Sequence, residues 1–261
     1  MSTTKTPTIL AMGGGGFTSP SGDPALDELV LELCGRREPR VLFLPTASGD
    51  PNEQIAAFHM TYGRRAALAT VLSLFRRHGD ERSLREIVLA HDVVYVGGGS
   101  MRNLLAIWAA HGLDVVLRDA WRRGIVLAGL SAGAMCWFEG GVTKSFGPPD
   151  VHRGLGFLPG SLSVHADGEP ERLPVYLDAV RGGALPGGWA ADDGVGLVFE
   201  GTALSRVVTA RPGTTALRVD AVGGELVRER LTPELLGAGP LGTRPLPDDV
   251  KEWRRTRYGP G

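Results

Sequence analysis

Apolar positions along this 261-residue chain fall into short runs separated by turn residues, and their arrangement changes about halfway along. In the first half, the runs at 8–12, 40–45, 69–75, 92–96 and 124–129 are continuous and partly β-branched, as strands buried on both faces require. The stretches between them, at 23–33, 52–65, 83–90, 101–110 and 113–122, predict helices, the first with Asp23 as N-cap and Pro24 at its first position. Regular alternation of strand and helix predicts an α/β fold, with a mainly parallel sheet flanked by helices and functional loops at the carboxyl ends of its strands. Beyond the midpoint the pattern shortens. A strand end at Val164 precedes His165, a helix covers 172–180, and brief apolar runs at 188–191, 195–201, 207–209 and 215–219 predict strands joined by hairpin-like turns. No linker or repeat divides the chain, so 1–240 is expected to form one α/β domain with a β-rich C-terminal portion. The Pro- and Gly-rich stretch 241–261 is expected to be a loosely held tail.

Composition narrows the function by exclusion. With 43% hydrophobic and 22% charged residues, the chain has an ordinary soluble composition. A net charge of -1, without a basic stretch before residues 254–257, argues against a nucleic-acid partner. No apolar run approaches the roughly 20 residues that cross a bilayer, and the first residues lack an apolar secretion core, so no membrane association and a cytoplasmic location are expected. Cys34 and Cys136 have no metal-type spacing and are expected to be buried apolar residues; neither metal nor cofactor is expected.

Candidate chemistry centres on Gly129-Leu130-Ser131-Ala132-Gly133, which follows the run at 124–129 and precedes an apolar, helix-compatible segment. Strand, sharp turn and helix are the context in which G-x-S-x-G marks a nucleophile elbow. The plainer alternative is that Ser131 merely caps a helix. A serine nucleophile needs a base and a carboxylate to orient that base. Of the six histidines, His59, His78, His91 and His111 lie in or beside predicted helices and are expected at the surface. His165, at a strand end before an Asp/Gly/Glu-rich loop, is the better base candidate, ahead of His152 in a loop with Arg153. The acid falls to the Asp192-Asp193 pair, since Asp167 and Glu169 stand too near His165 in sequence. An oxyanion needs two backbone donors, each worth about 3–4 kcal/mol of barrier. Ala132 is one candidate, and the turn Gly97-Gly98-Gly99 at the end of another parallel strand supplies the second. Gly13-Gly14-Gly15-Gly16 does not complete a dinucleotide fingerprint: Thr18 or Ser19 stands at the third glycine position, and no acidic residue ends the next strand. It is expected to be a turn lining the same edge.

Taken together, Val96-Gly97-Gly98-Gly99-Ser100 with Asn103-Leu104-Leu105, the segment Ala128–Ala134, Val164-His165 and Asp193-Gly194 resemble the serine peptidase family of peptidase E (aspartyl dipeptidase) and cyanophycinase. The resemblance covers most of the chain. It implies a class I glutamine amidotransferase-like (flavodoxin-like) fold and a metal-free triad of Ser131, His165 and Asp193. It implies removal of N-terminal aspartate from dipeptides; the glycine turn and the elbow themselves add oxyanion donors at Gly98 or Gly99 and Ala132. The expected partner is a small peptide substrate, and the expected assembly a monomer or homodimer. Two positions depart from the family pattern: Ser100 replaces Asn, and Asp193 replaces Glu, with Asp192 as its rival. Arg153 and Arg172 are candidate cations for an aspartyl side chain, and Asp167, Glu169 and Asp192 candidate acceptors for the substrate amine. The alternatives are a cyanophycinase-like or broader aminopeptidase, or a non-catalytic ligand-binding relative of the fold. An amidotransferase is disfavoured because serine holds the nucleophile position and Cys136 lies farther along.

Overall fold

The computed structural model describes residues 5–18, 24–66, 68–77 and 81–237. The expected cap Asp23, His78 and the tail 241–261 lie outside them. The first half alternates as β1 (Thr8–Met12), α1 (Ala25–Cys34), β2 (Arg40–Leu44), α2 (Asn52–Tyr62), β3 (Leu68–Val71), α3 (Leu84–Leu89), β4 (Val93–Val96), α4 (Met101–His111), α5 (Leu113–Arg122), β5 (Val126–Leu130) and α6 (Ala132–Met135). The second half is mostly strand: β6 (Phe138–Thr143), β7 (Asp150–Arg153), β8 (Leu158–Ser163), α7 (Arg172–Arg181), β9 (Gly188–Ala191), β10 (Val195–Glu200), β11 (Ala203–Thr209), β12 (Ala216–Val222), β13 (Glu225–Leu231) and β14 (Glu234–Leu235).

Two sheets result. The larger runs β14-β11-β10-β1-β5-β4-β2-β3. Its five strands from β1 to β3 are parallel, as the α/β alternation predicts, and β10 and β11 add an antiparallel edge. Alternate side chains of the fully buried β1 enter clusters on opposite faces, so the sheet is covered on both sides. Leu10 and Met12 of β1 join α1 and α2 in one apolar cluster, while Ile9 and Ala11 join α4, α5 and the inner face of the second sheet in another. The β-rich C-terminal portion forms a second sheet, β13-β12-β9-β8-β6-β7, in which the expected strands at 188–191 and 215–219 are joined by β6, β7 and β13, for which the sequence pattern gives no signal. Phe138 of β6, Trp189 of β9 and Phe199 of β10 lock it to the first through ring contacts of 5.2–5.8 Å. On its outer face α7 buries Tyr176 and Val180 against Val142 and Val219.

Local departures from the sequence expectations have physical causes. The expected strand 69–75 is shorter: β3, at the sheet's edge, stays in register with β2 to Val71, and Leu72 N–H makes the last bond, to Phe43 O at 2.9 Å. The helix after Ser131 is a single turn. Carbonyls that would continue it are taken by the neighbouring chain: Cys136 accepts from Leu155, and Trp137 from Phe157 and Leu158, starting β6 instead. His152 lies in strand β7, paired with Gly141, not in a loop. His91 is buried rather than at the surface, with its Nδ1 on the Ile87 carbonyl at 2.7 Å, whereas His59 and His111 are exposed. Burial lowers the His91 pKa. No helix among the described residues is long and apolar enough to cross a membrane.

Candidate active site

Ser131 leaves the carboxyl end of β5 in a conformation that ordinary residues avoid, with φ 52° and ψ −116°. Such a backbone costs on the order of 1–3 kcal/mol and persists only where its surroundings enforce it. The Ser131 N–H donates to Met12 O at 3.0 Å, and its carbonyl accepts from Ala134 and Met135. Strand and helix can close this tightly because a Cβ on Gly129 would stand 2.1 Å from the Gly133 carbonyl oxygen, and one on Gly133 2.5 Å from that of Val96. Both positions of the G-x-S-x-G pattern therefore exclude any side chain.

His165 arrives from the second sheet, just beyond β8, and it too has a positive φ of 55°. Its ring bridges the other two candidates. Nε2 lies 2.9 Å from Ser131 Oγ, and Nδ1 is hydrogen-bonded to Asp193 Oδ1. A carboxylate only accepts, so Nδ1 is the protonated nitrogen and Nε2 offers its lone pair to the hydroxyl. Asp193 sits on the turn from β9 to β10, where the chain passes from one sheet to the other. The three residues thus come from β5, from the end of β8 and from the inter-sheet turn, rather than from one sheet's rim. His165 and Asp193 are only partly exposed, at 20% and 33%.

Asp192 faces elsewhere: its Oδ2 accepts the Thr215 N–H at 2.8 Å. Burial raises its pKa, with the neighbouring Asp167 and Asp193 charges adding to the effect. Asp167 accepts the backbone N–H of Asp193 at 2.8 Å. Glu169 is held by Arg172 at 2.7 Å and by Lys144 at 3.6 Å. Arg172, considered above for substrate binding, is buried and also reaches the Val142 carbonyl, so it is not free to meet a substrate. Arg153 lies on β7 and lines a separate groove with Glu139, His152 and Leu185.

Around Ser131 the backbone donors are open. Among the described residues, the N–H groups of Gly98, Gly99 and Ala132 engage no acceptor, while Gly97 donates to Leu44 and Ser100 to Ala47 on either side. Gly98 backs directly onto the serine: a Cβ there would lie 3.3 Å from Ser131 Cβ. Gly99, at φ 141°, turns toward the Ala47 carbonyl.

The glycines after β1 have a role that the sequence suggested only as a turn at this edge. A Cβ on Gly14 would stand 2.1 Å from Asp193 Oδ1 and 3.0 Å from His165 Cε1, so Gly14 forms the wall behind the imidazole–carboxylate pair. Cys136 is fully buried and its thiol pKa is pushed well up by burial, which leaves it no nucleophilic role. Among the described residues, no group of three or more His, Cys, Asp or Glu side chains converges as a metal site.

Comparison with known proteins bears on the family and the fold. Residues 9–207 match the model of peptidase family S51. The uncharacterized peptidase YgaJ of Bacillus subtilis (strain 168) is 44% identical over 229 residues, spanning 88% of this chain and 99% of that protein. Among solved structures, a peptidase from an acI-B1 Actinobacterium superposes with a TM-score of 0.69 at 19% identity, covering 88% of this chain and 96% of the other. A protein of Listeria monocytogenes EGD-e, provisionally described as a peptidase E, superposes with a TM-score of 0.54 at 15% identity, covering 87% and 100%. These two structures share the fold.

Proposed function

This chain belongs to peptidase family S51, a serine peptidase family, and from that premise we propose that it hydrolyses short peptides, dipeptides with an N-terminal aspartate foremost, through Ser131, His165 and Asp193. The observation that carries the reading is the continuous hydrogen-bonded chain from the strained Ser131 through His165 to Asp193. In the proposed cycle, Ser131 Oγ attacks the scissile carbonyl carbon and its proton passes to His165 Nε2. Asp193 holds the Nδ1–H and balances the imidazolium charge. The alkoxide is received by the N–H groups of Ala132 and of Gly98 or Gly99. His165 then protonates the leaving amine. In the second half a water loses its proton to His165, attacks the ester on Ser131 and frees the acyl product.

An aspartyl substrate also needs a cation. Arg172 is buried, with 5% of its side chain exposed, and Arg153 lines a separate groove; Arg102, 35% exposed, is the better candidate. It lies four residues beyond Gly98, is paired with Asp150 and lies 5.7 Å from the ring of the exposed Phe146.

A panel of Asp-Xaa dipeptides, with other N-terminal residues and β-linked Asp-Arg beside them, tests the reading. Asp-Xaa peptides are expected to be cleaved preferentially, with Ser131→Ala lowering kcat roughly 10⁴-fold or more and Arg102→Ala raising KM. Preference for β-linked Asp-Arg would instead indicate a cyanophycinase-like enzyme. No cleavage, and no labelling of Ser131 by a serine-directed phosphonate, would favour a non-catalytic binding protein. Full activity in Ser131→Ala would end the proposal.

A further inference from the structure

Aspartate carries its carboxylate on a single methylene, so its backbone must come close to the ring it orients. The contacts around Asp193 show how that approach is held. The Asp193 N–H donates to Asp167 Oδ1 at 2.8 Å, and Asp167 is two residues beyond His165. The same two segments are joined again where the Ala166 N–H meets the Ala191 carbonyl at 3.1 Å. The His165 turn is closed on itself by Glu169 N–H to His165 O at 2.9 Å. On the far side, Gly194 N–H donates to Gly14 O at 3.2 Å. A Cβ on Gly168 would lie 3.4 Å from Asp193 Oδ2, so the turn passes directly over the carboxylate. The second oxygen of Asp167 faces Arg211 at 4.0 Å, a loose and exposed pair. Of these ties, only the first runs through a side chain to the backbone of Asp193 itself.

We propose that Asp167 is a positioning residue: its carboxylate latches the Asp193 turn to the His165 turn, so that a short acid meets the imidazole. This rests on the peptidase reading only for its effect on turnover; the latch itself is independent of it. It differs from a role for Asp167 in binding the substrate amine, which would act on KM.

The test uses the full chain with Asp167→Ala, Asp167→Asn and the double variant Asp167→Ala/Asp193→Glu. Asparagine keeps a carbonyl oxygen to accept the amide. Two readouts are needed: kcat and KM on the best Asp-Xaa dipeptide, and the downfield proton resonance of His165 Nδ1–H. Asp167→Ala is expected to lower kcat about 10–100-fold, the range for loss of a supporting contact, with KM near wild type and the resonance shifted or broadened. Asp167→Asn should keep both near wild type. The longer acid in the double variant should recover part of kcat. Should Asp167→Ala not fold, Asp167→Glu, which displaces the acceptor by a methylene, is expected to lower kcat in its place. Wild-type kcat and an unmoved resonance in Asp167→Ala would overturn the proposal. So would an effect on KM alone, or Asp167→Asn damaged as deeply as alanine. If wild-type protein cleaves no peptide, the peptidase reading falls, and the resonance alone decides the latch.

Discussion

Asp192 and Asp193 are adjacent carboxylates whose oxygens meet different partners, Thr215 N–H for one and the His165 ring for the other. Exchange of each for asparagine should separate them. Asp193→Asn is expected to cost roughly 10⁴-fold in kcat, as an orienting acid does, and Asp192→Asn to leave activity intact. Stability supplies a second check. Asp192 has a raised pKa, so the folded state holds its proton more tightly than the unfolded chain, and this stabilisation is lost as pH rises through the folded value. Asp192→Asn should therefore be more stable than wild type in urea unfolding at pH 7, with the gain vanishing toward pH ~3.9, where the unfolded carboxyl titrates. At Gly14, alanine would press a methyl into Asp193 Oδ1 and His165 Cε1. A displacement of the pair by about 1 Å is expected to cost on the order of 10²-fold in kcat/KM, with the fold retained by circular dichroism. Sequence spacing singled out the Asp pair and the glycine run. It does not distinguish neighbours in either, because side chains one residue apart on a turn point in directions that only the surrounding chain determines.

At the scale of elements, side-chain caps fix where α3 and α4 begin. Ser83 accepts from Glu86 N–H while the Glu86 side chain returns to Ser83, a capping box that bounds α3. Ser100, where the resembling family carries asparagine, accepts the Asn103 N–H at 3.2 Å and caps α4 directly after the oxyanion-candidate glycines. Ser100→Ala is expected to lower stability by about 1 kcal/mol, and Ser100→Asn to keep it, since both serine and asparagine cap well. Chemical denaturation measures the difference, and the dipeptide panel shows whether asparagine at this place alters substrate preference. The elbow helix was less legible. Its apolar residues Met135, Cys136, Trp137 and Phe138 suit either period, and the hydrogen bonds from 155–158 decide for a strand.

Across the whole molecule, the second sheet carries His165 to Ser131. Its inner aromatics and those of the first sheet form one continuous core with Trp108, Trp137 and Phe157 that encloses Cys136, 0% exposed, while Cys34, 3% exposed, lies in the cluster on the other face of the main sheet. Burial raises both thiol pKa values. Native protein is expected not to react with Ellman's reagent on mixing, and both thiols are expected to react after denaturation. Rapid reaction of the native protein would mean that one of these two clusters opens.

From residue order alone followed the α/β alternation, the parallel half of the main sheet, and the serine on its turn with histidine and aspartate as partners. These depend on local periodicity, on steric limits at glycine and on the small set of side chains able to move a proton. Tertiary structure decided the second sheet, which of Asp192 and Asp193 meets the His165 ring, the burial of Arg172 and His91, and the place of Gly14 behind the ring. Each depends on contacts between segments distant along the chain, where hydrogen-bond direction and close packing, rather than residue type, select the arrangement.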